Sequence, residues 1–441
     1  MTFSSKIGLI AIFTHALAIA AQAETAPLSL AQAVSKAVTT LPSLKLSQEK
    51  LNQSEILARA PYSQLAPTLS AQTVAWYKKD ASNSGNPKFD GDTYNQYSFG
   101  LHAAQPLFYS GMISAIYQAR FDRDLAGLDV DLTQRSIKAT VINAYYNLIL
   151  QKRKLETLNQ SNTIQKETLA TAEKRYQIGR GQLLDVLQAK TQLSLLSGNI
   201  DAARTQLQIA VSDLASLINE SQAETLEVAS VLPAPQLPEV LKQLESSRSK
   251  LPELEKLTVS AKKIDEQRAV AMGKHLPQLQ ATADWGRAAY TKSELFEGSA
   301  TAWSMGLQLN IPLFSGLSSV FEKRGFDSQS AQIGAQRADL ETTLSLSQIR
   351  ARKNLDLAWD QIKTAKTSFD LARKTLDEAK RNYKLAMADF LQLLSVEQSY
   401  LQAQSAIDQA QFNYIDALTQ YVVATGFSLD QLIPLLQGVS S

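Results

Sequence analysis

Three histidines and no cysteine leave little for catalysis to work with. His15 falls in an apolar N-terminal stretch, and neither His102 nor His275 has a second histidine at metal-ligand spacing. No thiol nucleophile or disulfide is available. Glu341 and Asp356 fall on solvated helix faces rather than forming an acid/base pair, and no Gly-x-x-x-x-Gly-Lys-Ser/Thr phosphate loop occurs. No cofactor and no enzyme activity are expected. The residues with functional spacing are instead mostly neutral and polar: Gln96, Ser98 and His102, then Ser304, Gln308 and Asn310. They fall on alternate positions, which puts each set on one face of a strand. A row of amides and hydroxyls there would line a water-filled passage.

The positions between them are apolar. Tyr97, Phe99, Leu101 and Ala103 oppose Gln96, Ser98, Gly100 and His102; Trp303, Met305, Leu307, Leu309 and Ile311 oppose Ser304, Gly306, Gln308 and Asn310. Leu279, Ala281, Ala283 and Trp285 alternate with Gln278, Gln280, Thr282 and Asp284. Leu69 to Tyr77 is less clean, because Val74 and Trp76 fall on the polar side. Strands are expected at about 67–78, 94–108, 277–290 and 300–314. Lys78 to Thr93 and Thr291 to Ser299 are polar and read as external loops. A soluble sheet with one buried face gives the same alternation. The long helices and export signal favour a membrane sheet. Four strands cannot close a barrel. Two copies would give eight strands with a filled interior, and three copies would give twelve and room for a channel.

Prolines show where the long elements run. None occurs between Met112 and Leu232 or between Leu313 and Ile433. Within those regions apolar residues follow a heptad: Val186, Ala189, Leu193, Leu196 and Ile200 in one, Leu393, Val396, Tyr400, Ala403 and Ile407 in the other, 207 residues on. The helix ending at Tyr176 breaks its heptad with two amides, Asn162 and Gln165. One helix from Gly111 to Gln177 would be roughly 100 Å long. Two further helices, about 30–59 and 239–272, are expected to kink or start at Pro42 and Pro252.

The chain is written twice. Gln105-Pro106-Leu107-Phe108 with Gly111 matches Ile311-Pro312-Leu313-Phe314 with Gly316, and Tyr176 to Leu193 matches Tyr383 to Tyr400. The expected organisation is a cleaved signal at 1–23, a first repeat at 24–232 with a helical hairpin at about 111–220, and a second at 233–441 with a hairpin at about 316–425. Lys6, the apolar run Ile7 to Ala20 and Ala21-Gln22-Ala23 carry the signal. With 44 Lys+Arg against 42 Asp+Glu, no nucleic-acid partner is expected.

Two strand pairs and two long hairpins in tandem resemble the TolC family of outer-membrane efflux proteins. The most specific match is Arg175-Tyr176-Gln177-Ile178-Gly179-Arg180-Gly181-Gln182-Leu183-Leu184-Asp185-Val186, similar to the family's helix-turn-helix tip. The resemblance implies an α+β, mainly α fold with four barrel strands per chain and long antiparallel coiled-coil helices. It further implies a homotrimer with a β-barrel in outer-membrane lipid and an α-barrel in the periplasm. Such a trimer serves as the exit duct of a tripartite efflux pump or a type I secretion system. Implied partners are a periplasmic adaptor and an inner-membrane pump or ABC exporter. Implied docking residues are Arg175, Ile178, Gly179, Arg180, Asp185, Val186, Tyr383 and Ala386; Asp389, Gln392 and Ser395 would stand at the periplasmic aperture. Arg180 stands where the family often has an apolar residue, Ala386 replaces an expected glycine, and Gln392 and Ser395 stand where aspartates are usual. The alternative is a periplasmic coiled-coil spacer without a pore, which leaves the alternating segments unexplained.

Overall fold

The computed structural model describes residues 27–79, 93–220, 226–228, 231–234, 236–245, 251–297, 301–314, 316–385 and 387–437. The signal expected at 1–23, most of the first external loop and Ala386 lie outside them.

Proline placement sets the helix starts. Helix α1 (Leu30–Thr40) opens on a capping box in which Ser29 and Gln32 satisfy each other's backbone. It stops at Leu41, which is extended (φ −66°, ψ 127°) because the following proline ring disfavours a helical conformation there. Helix α2 (Pro42–Leu57) then starts on that proline. The same device recurs later: after α6 (Leu237–Glu245), Leu251 is extended (φ −72°, ψ 118°) and α7 (Pro252–Gly273) starts on Pro252. A single turn, α3 (Ala60–Ser63), leads into the sheet.

Strands β1 (Thr68–Lys79), β2 (Thr93–Phe108), β3 (Gln278–Ala289) and β4 (Thr301–Asn310) form one antiparallel sheet in the order β1-β2-β3-β4. The β2–β3 register slips between Pro106 and Phe108, where proline has no N–H for the ladder. Strand β4 ends at Asn310, short of the expected 314, ahead of Pro312. The stretch read as a second external loop contains a short helix, α8 (Lys292–Glu297), whose Glu294 N–H is met by the Thr291 hydroxyl.

Each strand pair is followed by a long helical pair. Helix α4 (Met112–Gln177) has 66 residues and α9 (Ser318–Lys384) has 67, so each is roughly 100 Å long. Their partners are α5 (Leu183–Leu217) and α10 (Phe390–Thr425). The corners from sheet to helix are left-handed: Gly111 at φ +90°, and Gly316 and Leu317 at +66° and +64°. At Gly111 a Cβ would also stand 3.1 Å from Val270 of α7, so the close packing there demands glycine. A C-terminal helix, α11 (Leu429–Gln437), was not expected.

The main core lies partway down α4. Ile137, Val141, Ile142, Tyr145 and Ile149 of α4 pack against α1, the end of α10 (Tyr414, Leu418, Val422) and α11 (Leu432, Leu436). Arg135 secures this junction. Its Nη2 donates to the carbonyls of Val422 and Val423 in the last turn of α10 at 3.0 Å and to that of Phe427, just beyond the helix, at 3.3 Å. The position of its positive charge also suits a helix C-terminus. R135L strands these carbonyls and is expected to destabilise the fold by about 2–4 kcal/mol, read as a lower midpoint for loss of the helical signal.

Candidate functional site

Two regions carry functional geometry: the sheet, and the ends of the helical pairs.

The sheet has two chemically different faces. Cross-strand register places Ser70, His102, Asp284 and Ser304 in one row, with Thr68, Ala104, Thr282 and Gly306 two positions away. Gln280 pairs with Gln308 and Gln278 with Asn310 on this same face. Gln96 and Ser98 share it, opposite Trp76 and Val74, the two exceptions visible in the sequence. All six residues expected to line a passage therefore lie on one face. The other face carries Leu69, Ala103, Ala283 and Met305 in one row and Ala71, Leu101, Trp285 and Trp303 in the next. Trp303, Met305 and Leu307 are each more than 70% exposed in the single chain. No helix among the described residues is long and apolar enough to cross a membrane. The sheet carries an extended, exposed apolar surface.

Both edges of this sheet are open. Among the described residues, strand β1 pairs only with β2, and β4 only with β3. Each edge leaves alternate N–H and C=O groups unpaired, which costs several kcal/mol per group inside hydrocarbon. The sheet therefore enters a bilayer only if its edges meet other copies.

At the far end, α4 and α5 meet in a tight turn. The N–H of Arg180 donates to the carbonyl of Arg175 at 2.8 Å and that of Gly179 to Tyr176 at 3.0 Å, a Schellman closure around Gly179 at φ +72°. Gly181 is not merely a flexible joint: a Cβ there would lie 2.9 Å from the Tyr176 nitrogen. Ile178 and Arg180 are exposed, whereas Val186 and Tyr383 are buried in the helical seams at 5% and 2% exposure. These two brace the tip from within and offer no surface for docking. Arg175 lies over the Tyr383 ring at 4.9 Å and joins the two tips. Asp185, half-buried, stands in the first turn of α5.

In the second tip the Met387 N–H donates to the carbonyl of Asn382 at 2.8 Å. Asp389 caps α10, its carboxylate accepting from the Gln392 N–H at 2.7 Å. Gln392 and Ser395 are exposed. Between the tips runs a groove of about 870 Å³ lined by residues of both, including Arg175, Arg180, Asp185, Asp389 and Gln392.

A residue that the heptad reading missed lies just behind. Glu397 of α10 is buried at 3% exposure, and it accepts from Gln165 Nε2 at 2.5 Å and Thr168 Oγ1 at 3.1 Å on α4. Gln165 is one of the two amides that interrupt the first-half heptad, so the signal was present but its partner was not identifiable. Further along the same seam, Arg153 pairs with buried Asp408 at 2.9 Å, and Asn143 donates to Asp416 at 2.9 Å. The α4–α10 seam is therefore linked by polar groups, whereas Tyr383, Phe390 and Leu393 give the tip its apolar cluster.

A two-faced sheet with open edges, continued by helices about 100 Å long, defines a channel subunit of the outer membrane. The chain belongs to the outer membrane efflux protein family, whose model matches residues 33–220 and 244–426. It is 22% identical over 348 residues to the alkaline protease secretion protein AprF of Pseudomonas aeruginosa, covering 76% of this chain and 70% of that one. It is 21% identical over 419 residues to the cation efflux system protein CusC of Escherichia coli, covering 89% and 85%. The fold matches the outer membrane protein VceC of Vibrio cholerae with a TM-score of 0.76 at 18% identity, over 90% of this chain and 96% of that one. The chain is an outer-membrane export channel protein with helices reaching into the periplasm, not an enzyme and not a poreless spacer.

Burial raises the pKa of Glu397 above the ordinary glutamate range, opposed by the Thr168 hydrogen bond and by Lys380. The folded chain thus holds this proton more tightly than the unfolded chain. Its contribution to stability is complete below the unfolded value and is lost as pH rises through the raised folded value. E397Q cannot ionise, so acidification from pH 7.5 to 5 is expected to raise the melting midpoint of the wild type more than that of E397Q. Parallel profiles would contradict this. G179A is expected to cost about 1 kcal/mol by placing a side chain at positive φ, read in the same melts.

Proposed function

We propose that three copies join edge to edge, β4 of one against β1 of the next, to form a twelve-stranded barrel continued by a twelve-helix tube. The observation that carries this is the pair of open edges on a sheet with one apolar and one polar face. Two copies would give eight strands and a filled interior, whereas three leave a channel. In this arrangement the apolar face with Trp285 and Trp303 meets lipid. Gln96, Ser98, His102, Ser304, Gln308 and Asn310 face the lumen.

The chain is then a passive duct. Its sequence carries no nucleotide loop, so an inner-membrane pump or ABC exporter supplies the energy. Relatives are named for protease secretion, cation efflux and toluene efflux, which supports a duct that takes its cargo from its partner pump. The exposed tip around Ile178, Gly179 and Arg180 docks a periplasmic adaptor, with Arg175 and Tyr383 holding the two tips together. Ala386 belongs to the second tip by its place in the sequence. Asp389, Gln392 and Ser395 stand where the aperture would be, and Asp389 supplies its charge while capping α10. The tandem halves 24–232 and 233–441 are the two copies of one ancestral unit, following a signal at 1–23.

Purified mature protein in detergent is expected to run as a heat-resistant trimer and to give stable single-channel conductance in planar bilayers. A soluble monomer without conductance would refute the duct. R180C is expected to crosslink to a periplasmic adaptor in cells. Failure there and at Ile178 and Gly179 would remove the docking assignment while leaving the channel intact.

A further inference from the structure

We propose that Asp284 sets the charge selectivity of the barrel, so that the duct passes cations in preference to anions. This rests on the reading above that the polar face of the sheet is the lumen.

Asp284 lies mid-strand in β3, between His102 of β2 and Ser304 of β4. The His102 Nδ1 stands 2.6 Å from Asp284 Oδ1, and the Ser304 hydroxyl donates to Oδ2 at 3.4 Å. The carboxylate is thus held across three strands, yet its side chain stays 52% exposed and that of His102 46% exposed. The neighbouring positions of this face on β3 and β4 are Gln280, Thr282, Gly306 and Gln308, all uncharged.

Asp284 is the one carboxylate on the polar face among the described strand residues. Apart from His102, the one basic side chain there is Lys78, opposite Tyr94 at the outer end of β1. Asp284 stands in the row of Ser70, eight residues from Lys78, or roughly 27 Å along the strand. That exceeds the Debye length of about 10 Å at 0.1 M salt, so the lysine does not offset the carboxylate. In a trimer three such carboxylates stand at one depth of the lumen. A narrow aqueous passage between low-dielectric walls focuses their field, and a ring of carboxylates favours cations. The proposed aperture offers Gln392 and Ser395, both neutral, and an Asp389 engaged in capping. The barrel thus carries a carboxylate ring of its own, separate from the charge that Asp389 keeps while capping α10, and it favours cationic cargo such as ammonium-bearing organic ions.

The test is the K⁺/Cl⁻ permeability ratio of single channels under a KCl gradient at pH 8. The wild-type ratio is expected above one. D284N should conduct normally with the ratio lowered at least about twofold toward one. D284S, which likewise removes the charge and keeps a small hydroxyl in the row, should lower it similarly and serves if D284N does not assemble. A conducting D284N channel with the wild-type ratio, or a wild-type ratio at or below one, overturns the assignment. Absence of any wild-type conductance would instead remove the duct itself, and this inference with it.

Discussion

The structure depends on the unpaired backbone at the two edges of one four-stranded sheet. In water such edges are solvated and tolerable. In hydrocarbon they are not, and the apolar face beside them is too large and too exposed to remain in water. Strands β1 and β4 are complementary ends of an antiparallel order, so the edge-to-edge addition of further copies proposed above would satisfy both. In that arrangement the lumen would take its polarity from the alternate side chains of the same strands.

The helices answer a different demand. They carry the passage well beyond the membrane, and a helix of 66 or 67 residues cannot be buried in one compact core. Burial is concentrated instead at the junction of α1, α4, α10 and α11 and in a small cluster at the tip. Between these, α4 and α10 are linked by carboxylates to amide, hydroxyl and guanidinium groups. A seam of this kind specifies register, because a slip by one turn leaves Glu397 and Asp408 buried without partners. An apolar seam would tolerate such a slip more readily.

Much of this was legible in the sequence because the governing constraints are local. Proline disfavours helix interiors, so Pro42 and Pro252 were expected to kink or start a helix, and each opens a new one that divides the expected 30–59 and 239–272 in two. Alternation with period two located all four strands within a few positions. Gly111 and Gly316 matched as equivalent positions of the two halves, and both adopt left-handed conformations at the corners from sheet to helix. What escaped depends on partners distant in the chain. The amide at Gln165 read as a heptad defect, and only tertiary structure pairs it with Glu397, 232 residues on. Val186 and Tyr383 sit within a motif that reads as an exposed tip, yet packing turns them inward. Helix α11 follows a left-handed Gly426 and contains Pro434, both of which read as termination. It is held by burial of Leu432 and Leu436 rather than by local preference.

The placement of the main core has a mechanical consequence. Leu150, at its lower margin on α4, is 27 residues from Gln177, or about 40 Å of helix. The lower part of α4 is therefore a lever with its fulcrum at the core margin near Leu150, and its buried positions along that arm, Thr157, Ser161, Gln165, Thr168 and Ala172, are mostly polar. A pivot of about five degrees at that fulcrum carries the tip through roughly 3.5 Å for an arm of this length. Small repacking near Tyr145 and Tyr414 is thereby magnified where the passage meets the periplasm.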